Sequence, residues 1–290
     1  MSRYILPFAR TNRLPFLVVT VSVFAFLGCS IFPTGSTSTQ FSSGRPILPP
    51  IQAAPDTILL EVFFIERPQE DPLLSTSLWK DVDQIGAVPT TETRQILREN
   101  GFRVGNASSH PPASVQKLLG MVAEIPLNSS ENSGPLLGRH QFLAPGVETE
   151  IPTGIIHDEC EFLFHEAGGK KSASYENVNC VLRMKANRLQ EGWIRIDFQP
   201  EIHHGENQLR RTAAGEAWSL KMSQKIDVRV AQRFSMTLNV GELALITAIP
   251  HEEGTLGDRF FCRDDQGTKK QRVLCIRVVE AGSPAAALAR

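Results

Sequence analysis

Tyrosine and tryptophan are scarce in this sequence, with two and three residues respectively among 290. A self-contained outer-membrane barrel carries girdles of these residues at both interfaces, so the composition argues against one. An excess of one charge is also missing, because 30 basic and 31 acidic residues give a net charge of -1. We therefore expect no nucleic acid partner and no polybasic membrane patch.

Long apolar runs are absent apart from one near the N-terminus. Arg3, Arg10 and Arg13 precede the uncharged run Leu14 to Leu27. A basic start followed by an apolar run of this length is typical of a secretory signal, and the run is shorter than the ~20 residues that span a bilayer. We predict a signal peptide over residues 1–28. An uncleaved anchor is the alternative.

The end of this run, "FLGC", resembles the lipobox of bacterial lipoproteins, in which the cysteine is acylated and becomes the first residue. The resemblance implies lipidation at Cys29 and attachment to membrane lipid, although Phe26 stands where the family usually has leucine. Ser30 implies the outer membrane, with the chain facing the periplasm. The alternatives are secretion, an inner-membrane anchor, and a signal that merely contains a cysteine. Residues 29–56 are rich in Ser, Thr, Pro and Gly, which predicts a disordered tether.

Four more cysteines follow the tether, namely Cys160, Cys180, Cys262 and Cys275. Exported proteins keep disulfides, and the spacing favours the pairs Cys160–Cys180 and Cys262–Cys275, because the midpoint of each pair falls in or beside a turn signal. Four buried free thiols are the alternative.

Residues 57–125 show alternating strand and helix signals. The apolar segment "TILLEVFFIERP" predicts a buried strand, and "LLSTSLWKDVDQ" and "TTETRQILRENG" predict helices, with Gly101 as the left-handed residue beyond the second. A short strand, "FRV", precedes a third helix with one apolar stripe. The order strand, helix, helix, strand, helix predicts a small α/β layer. Residues 126–139 are expected to form a loop.

Residues 140–280 follow a period of two. The even positions in Val178–Ala186 and Trp193–His203 are mostly apolar, and Ile226, Val228 and Val230 continue the pattern. "DRFFCR" and "RVLCIRVVE" predict further strands. We therefore expect an antiparallel β-domain buried on one side, an α+β fold class overall, and a tail over residues 281–290.

No set of residues has the types and spacing of a catalytic site, so we expect no enzymatic activity and no cofactor. His157, Cys160 and His165 have metal-ligand side chains but match no standard zinc spacing, and we predict no metal site. His203 and His204 are expected in a solvated turn. The polar strand faces are candidate binding surfaces, with the basic residues Arg183, Lys185, Arg195 and Arg229.

The stretch "NVNCVLRMKANRLQEGWIRIDFQPEIHHG" resembles the β-domain of bacterial secretins, in which a strand turns through a glycine into a segment ending in Pro-Glu-Ile. "RFSMTLNVGELALITAI" and "RVLCIRVVEA" resemble two further parts of that domain, so the likeness covers residues 178–280. It implies a structural or assembly component of a secretion or envelope complex, with protein partners in the envelope and self-association as an open question.

The β-domain is shorter than the full set of secretin hairpins, which favours a hairpin on a periplasmic domain over a channel wall. Two other functions stay open. One is a binding module that presents a strand edge or face to an envelope ligand, a glycan or a polypeptide. The other is an enzyme, for which a pocket containing His157, Glu159 and His165 would be the evidence.

Overall fold

The structure is a computed structural model that describes residues 57–121 and 139–282, except residues 167, 191 and 215–216; for residues 210–221 only the backbone is described. The predicted signal peptide, Cys29, the tether, nearly all of the predicted loop and most of the tail lie outside these ranges. Within the ranges, no helix combines the length and the apolar character needed to cross a membrane.

The described residues are mostly antiparallel β-sheet with few helices, which confirms the predicted β-rich character. The strands are β1 (Ile58–Pro68), β2 (Phe102–Ala107), β3 (Arg139–Leu143), β4 (Glu148–Glu166), β5 (Gly169–Gln190), β6 (Trp193–Ala214), β7 (Ala217–Val228), β8 (Phe234–Asn239), β9 (Leu243–Ala248), β10 (Cys262–Asp265) and β11 (Thr268–Ala281). The helices are α1 (Leu78–Asp81), preceded by a π-type turn at Leu73–Ser77, then α2 (Thr91–Glu99), α3 (Ala113–Leu118) and α4 (Leu256–Phe261), with a 3₁₀ turn at Val230–Gln232.

Sheet A has the strand order β2-β9-β11-β1-β3, and β10 also pairs with β11. The strands of the predicted α/β segment therefore do not form a sheet of their own. β1 lies between β11 and β3, and β2 pairs with β9. Segments on both sides of residues 126–139 therefore share one sheet, since β1 pairs with a strand about 200 residues later. The local periodicity of a sequence cannot predict a pairing between such distant segments.

Sheet B has the order β4-β5-β6-β7, and β8 also pairs with β6. The long strand β6 changes partner along its length. Its first part, Trp193 to Phe198, pairs with β8, and its second part, from Glu201 to Ala214, pairs with β7. The first of the three segments on which the secretin resemblance rests and the β8 part of the second therefore meet on this one strand.

The two faces of sheet A are both covered. Ala244 and Ile246 belong to a core shared with sheet B, whereas Leu243 and Leu245 pack with Trp79 on the side of α1 and α3. Burial on both faces explains the uninterrupted apolar run "LALITA" in β9. The core between the two sheets also contains Leu97 of α2 and Phe260 of α4, so these two helices lie on the side of sheet B.

The predicted inward face of sheet B is largely confirmed. Every one of these even-numbered side chains is at most 2% exposed: Val178, Cys180, Leu182, Met184, Ala186, Ile194, Ile196, Phe198, Ile202, Phe234, Met236 and Leu238. The prediction is wrong for Val230, which is 62% exposed, and for Ile226 and Val228, which are 43% and 41% exposed. Ile226 and Val228 pair with His203 and Glu201, and this register turns them to the opposite face.

Helix α4 lies where "DRFFCR" predicted a strand. The signal that opens it is Thr255, whose side chain accepts a hydrogen bond from the backbone N–H of Asp258 at 3.4 Å, while the Asp258 carboxylate accepts from the N–H of Gly254 at 3.0 Å. This reciprocal arrangement is a variant of the capping box. It places Phe260 and Phe261 against Phe102, with ring centroids 5.7 and 6.2 Å apart.

The four cysteines are free and buried, and the predicted pairings need correction. The β4–β5 register places Cys160 opposite Tyr175, not Cys180. Cys262 pairs with Gln271 in the β10–β11 hairpin. Cys262 and Cys275 belong to the cores on the two opposite faces of sheet A, so they cannot bridge. The error arose because each turn lies before the midpoint of its cysteine pair.

Candidate interaction surface

The face of sheet B that points away from sheet A, here called the outer face, carries most of the polar residues of the strands. The strand register sets their order. Glu150 of β4 lies opposite Arg183 of β5, which lies opposite Gln199 of β6. Directly opposed residues share a face, so acidic and basic side chains from three strands meet there.

Arg183 and Glu201 form the centre of the charged group on this face. The Nε atom of Arg183 donates to Glu201 Oε1 at 2.6 Å, and Nη2 donates to Oε2 at 2.9 Å. His203 Nε2 lies 3.1 Å from Glu201 Oε2. Burial raises the pKa of Glu201, but the hydrogen bonds from His203 and Arg183 outweigh burial and hold the pKa below its ordinary value. The hydrogen bond to Glu201 in turn raises the pKa of Arg183.

One group on this face has the side chains of a metal site. Ligand atoms of Glu150, Glu201 and His203 all lie within 4.8 Å of one another. Both oxygens of Glu201 already accept from the Arg183 guanidinium, and its positive charge opposes a cation at this point. We therefore assign no metal to the group.

The residues of β4 that have metal-ligand side chains do not lie close to one another. His157, Cys160 and His165 form no group of metal-ligand distance in the part of the chain that the structure describes. His157 and His165 lie on one extended strand, about 26 Å apart at ~3.3 Å per residue. His157 Nε2 instead lies 3.0 Å from the Arg259 carbonyl oxygen.

Three of the four predicted basic residues lie together. Arg183, Lys185 and Arg195 line a cavity of about 250 Å³ on the outer face, together with Arg233. Arg229 is elsewhere: its guanidinium lies 3.8 Å from the centroid of the Phe164 ring, and Nη2 is 2.5 Å from Glu166 Oε1. Arg229 therefore does not join the other three residues on the predicted candidate surface.

Arg229 belongs to a second polar group, which includes Tyr175 and Asp227. The Tyr175 hydroxyl donates to Asp227 Oδ2, and Arg229 Nη1 donates to the same carboxylate at 3.2 Å. Burial and the hydrogen bond to Asp227 raise the pKa of Tyr175 to about 12. The Tyr175 ring also contacts His204, with centroids 4.6 Å apart. His203 and His204 thus lie within β6, and the solvated turn predicted for them is not found, because β6 continues to Ala214.

The far end of the β6–β7 hairpin extends beyond β5. Strand β5 pairs with β6 only as far as Asn179 and His203. The β6–β7 register shifts between His204 and Gln208, and pairing then continues to Ala214 and Ala217. We call this two-stranded end, residues 208–214 and 217–223, the arm.

A line of exposed apolar side chains follows the arm and its base, and we call it the outer stripe. Leu209 and Met222 are cross-strand partners that are 61% and 57% exposed. Ile226 and Val228 continue the same face of β7 toward Glu201. Sequence reasoning missed Leu209 and Met222, although the period of two along β7 links Met222 to Ile226 and Val228.

The outer stripe lies beside an open strand edge. Among the described residues, β7 pairs with β6 alone. The other edge of an edge strand presents N–H and C=O groups that can bond to another strand. Apolar side chains on an open edge strand are typical of a surface that binds a polypeptide.

Comparison with known proteins gives no match: no family model fits the sequence, and no curated protein or solved structure matches it significantly. The resemblances to the lipobox and to the secretin β-domain stay predictions.

Proposed function

We propose that this chain is a lipid-anchored structural protein of the bacterial cell envelope, with Cys29 as the acylated residue and a secretin-like β-domain that assembles with envelope partners. The proposal places the chain at the outer membrane, facing the periplasm. The observation that carries the assembly role is the outer stripe on the open edge of β7, where Leu209 and Met222 are more than half exposed. The proposal assigns no catalytic role, no cofactor and no metal.

The fold class proposed with this function is α+β, with the small α/β segment of residues 57–125 ahead of the antiparallel strands of residues 140–280. The order β1, α1, α2, β2, α3 supports it. Helices α1 and α3 cover the face of sheet A opposite to sheet B, and α2 and α4 pack in the core shared by the two sheets, so the described helices leave the outer face of sheet B open for contact with a partner.

The anchor and the assembly are tested separately. Metabolic labelling with a fatty-acid probe should mark the wild-type chain and leave Cys29→Ala unlabelled. Native mass measurement of detergent extracts should give a species heavier than the monomer. A strictly monomeric particle without partners would remove the basis for an assembly role, and labelling of Cys29→Ala would contradict the anchor.

The contact surface is tested with a charge on the outer stripe. Met222→Glu should reduce the assembled fraction at least tenfold, because burial of an apolar side chain of this size contributes about 1.5–3 kcal/mol. Ile85→Glu is the matched control, since Ile85 is 69% exposed and lies outside sheet B. Equal losses in the two variants would contradict assembly through the stripe.

A second candidate function is a binding module for an envelope ligand or polypeptide. The cavity lined by Arg183, Lys185 and Arg195 favours it, because these basic residues converge on one concave part of the outer face. Lys185→Glu should weaken capture of the ligand from an envelope lysate, whereas Lys80→Glu, on the exposed end of α1, should not. Unchanged capture by Lys185→Glu would count against this function.

A further inference from the structure

A second cavity, of about 280 Å³, lies between α2, β2 and the chain that joins α1 to α2. Its lining combines buried apolar side chains with three arginines and a glutamine, and no acidic residue lines it. The lining residues are Gln84, Val88, Arg94, Leu97, Arg98, Phe102, Arg103, Val104 and Ile249. None of these belongs to the outer face of sheet B, so the site is independent of the proposed function.

Arg103 has no acidic partner among the described residues. Its guanidinium carbon lies 4.5 Å from the centroid of the Trp79 ring. Its hydrogen bonds are long: Nε to Gln84 Oε1 and Nη1 to the Ser75 carbonyl oxygen are both 3.4 Å. A guanidinium has five N–H donors, so most of this one's capacity is left for a ligand.

Arg98 brings a second positive charge to the same place. It is exposed near the end of α2, and its side chain makes no hydrogen bond or ion pair with a residue that the structure describes. Burial and the nearby charge of Arg98 lower the pKa of Arg103 to about 10. Two like charges at a shared cavity repel each other, and an anion bound between them removes that repulsion.

Arg94, the third arginine of the lining, binds backbone carbonyl oxygens of the chain itself. Its Nη1 atom donates to the carbonyl oxygens of Val88 and Pro89 at 2.6 and 2.8 Å. These bonds hold the wall of the cavity that precedes α2. Arg98 and Arg103 are therefore the two arginines of the lining that keep N–H donors for a ligand.

We propose that this cavity binds a carboxylate carried on a small apolar body, with Arg98 and Arg103 as the groups that bind the carboxylate. A planar guanidinium matches a carboxylate through paired N–H bonds. The body would contact the apolar part of the cavity lining, which includes Leu97 and Ile249. The volume is just below the ~300–1,000 Å³ of ligand pockets, which indicates a small ligand.

Isothermal titration calorimetry with the full chain in detergent tests the site. The probes are benzoate and hexanoate, with hexylamine and inorganic phosphate as comparisons. Each carboxylate should bind at one site, at least tenfold more tightly than either comparison. Arg98→Gln and Arg103→Gln should each weaken benzoate binding at least tenfold, while Arg139→Gln, an exposed control arginine on β3, should leave it unchanged.

Arg98 is exposed, so Arg98→Gln should leave the fold intact. An N-acetylated dipeptide ending in leucine, titrated beside the free acids, separates a polypeptide source of the carboxylate from a free acid. Tight binding of either source supports the proposal. Binding of phosphate as tight as that of benzoate, or benzoate binding that survives Arg98→Gln and Arg103→Gln, would overturn it, as would the absence of carboxylate binding.

Discussion

Arg183 binds Glu201 with two hydrogen bonds, of 2.6 and 2.9 Å, on the outer face of sheet B, where the Glu201 side chain is only 3% exposed. Arg183 also lies 3.2 Å from Glu148 and 3.5 Å from Glu150, both of which are about half exposed. One arginine thus connects β4, β5 and β6, and the buried carboxylate accepts two hydrogen bonds from it.

Replacing Arg183 should be costly. In Arg183→Met, Glu201 keeps His203 as a partner but loses the guanidinium, and a buried charge without its partner costs about 3–5 kcal/mol. We expect a loss near the lower value, measured as the free energy of unfolding in urea. The control is Arg195→Met, whose partner Asp197 is 29% exposed, so its loss should stay below about 1 kcal/mol. Equal losses would contradict the special role of Arg183.

Acid should weaken the fold through Glu201. Its pKa is lowered in the folded chain, so it contributes stability at pH values above its ordinary pKa of 4.5 that is lost as the pH falls through the folded pKa. Glu201→Gln, which has no proton to gain, should lose less stability below pH 4.5 than the wild type does. Unfolding curves over a pH series measure this slope. Parallel curves for the two chains would show that Glu201 does not contribute.

Tyr175 should titrate unusually late. In the full chain with Tyr4→Phe, Tyr175 is the remaining tyrosine of the two, so tyrosinate absorbance after a rapid pH jump reports it alone. The midpoint should be about 12 rather than the ordinary 10. Because the pKa is raised, this tyrosine contributes stability below pH 10 that is lost as the pH rises through 12.

The contribution of Asp227 to the raised pKa of Tyr175 can be separated from the contribution of burial. Asp227→Asn should move the midpoint toward 10, because it removes the charge that accepts from the Tyr175 hydroxyl. Asp197→Asn, which alters a carboxylate on the outer face, should leave the midpoint in place. A midpoint near 10 in the parent chain would contradict the hydrogen bond itself.

Gly257 should tolerate no side chain. A Cβ atom there would overlap the carbonyl oxygen of Gly101, where α4 meets the start of β2, and a backbone atom cannot move aside cheaply. Gly257→Ala should lower the free energy of unfolding by about 3 kcal/mol or more. Gly168→Ala is the control, because nothing lies within 4 Å of its Cβ position. A small loss for Gly257→Ala would mean that α4 can shift away from β2.

Sequence reasoning succeeded where the structure is local. The period of two in Val178–Ala186 gave the buried face of β5, and Gly101 has the predicted left-handed conformation, with φ of 76°. It failed where the pairing of strands distant in sequence determines the structure. Nothing in residues 58–68 shows that β1 pairs with β11, and the outward turn of Ile226 follows from its pairing with His203. The helix at Leu256–Phe261 was missed because the cap at Thr255 was overlooked beside apolar residues that suit a strand.

The candidate surface was predictable only in part. Arg183, Lys185 and Arg195 occupy odd positions in strands whose even positions are apolar. They were therefore expected on a polar face, where the structure places them. Arg229 follows β7 directly, where alternation ends, so parity could not place it over Phe164. Arg98 and Arg103 come from α2 and β2, and no spacing rule indicates that a helix and a strand enclose one cavity.

The break in register between His204 and Gln208 separates the arm from the rest of β6. Along β6 the core residues that the structure describes end at Ile202, so no described side chain of the arm belongs to the core. Cross-strand pairs could be added to or removed from the arm while every described core side chain keeps its neighbours. Evolution can therefore change the length of this projection, and with it the distance to a docked molecule, independently of the folding of the protein.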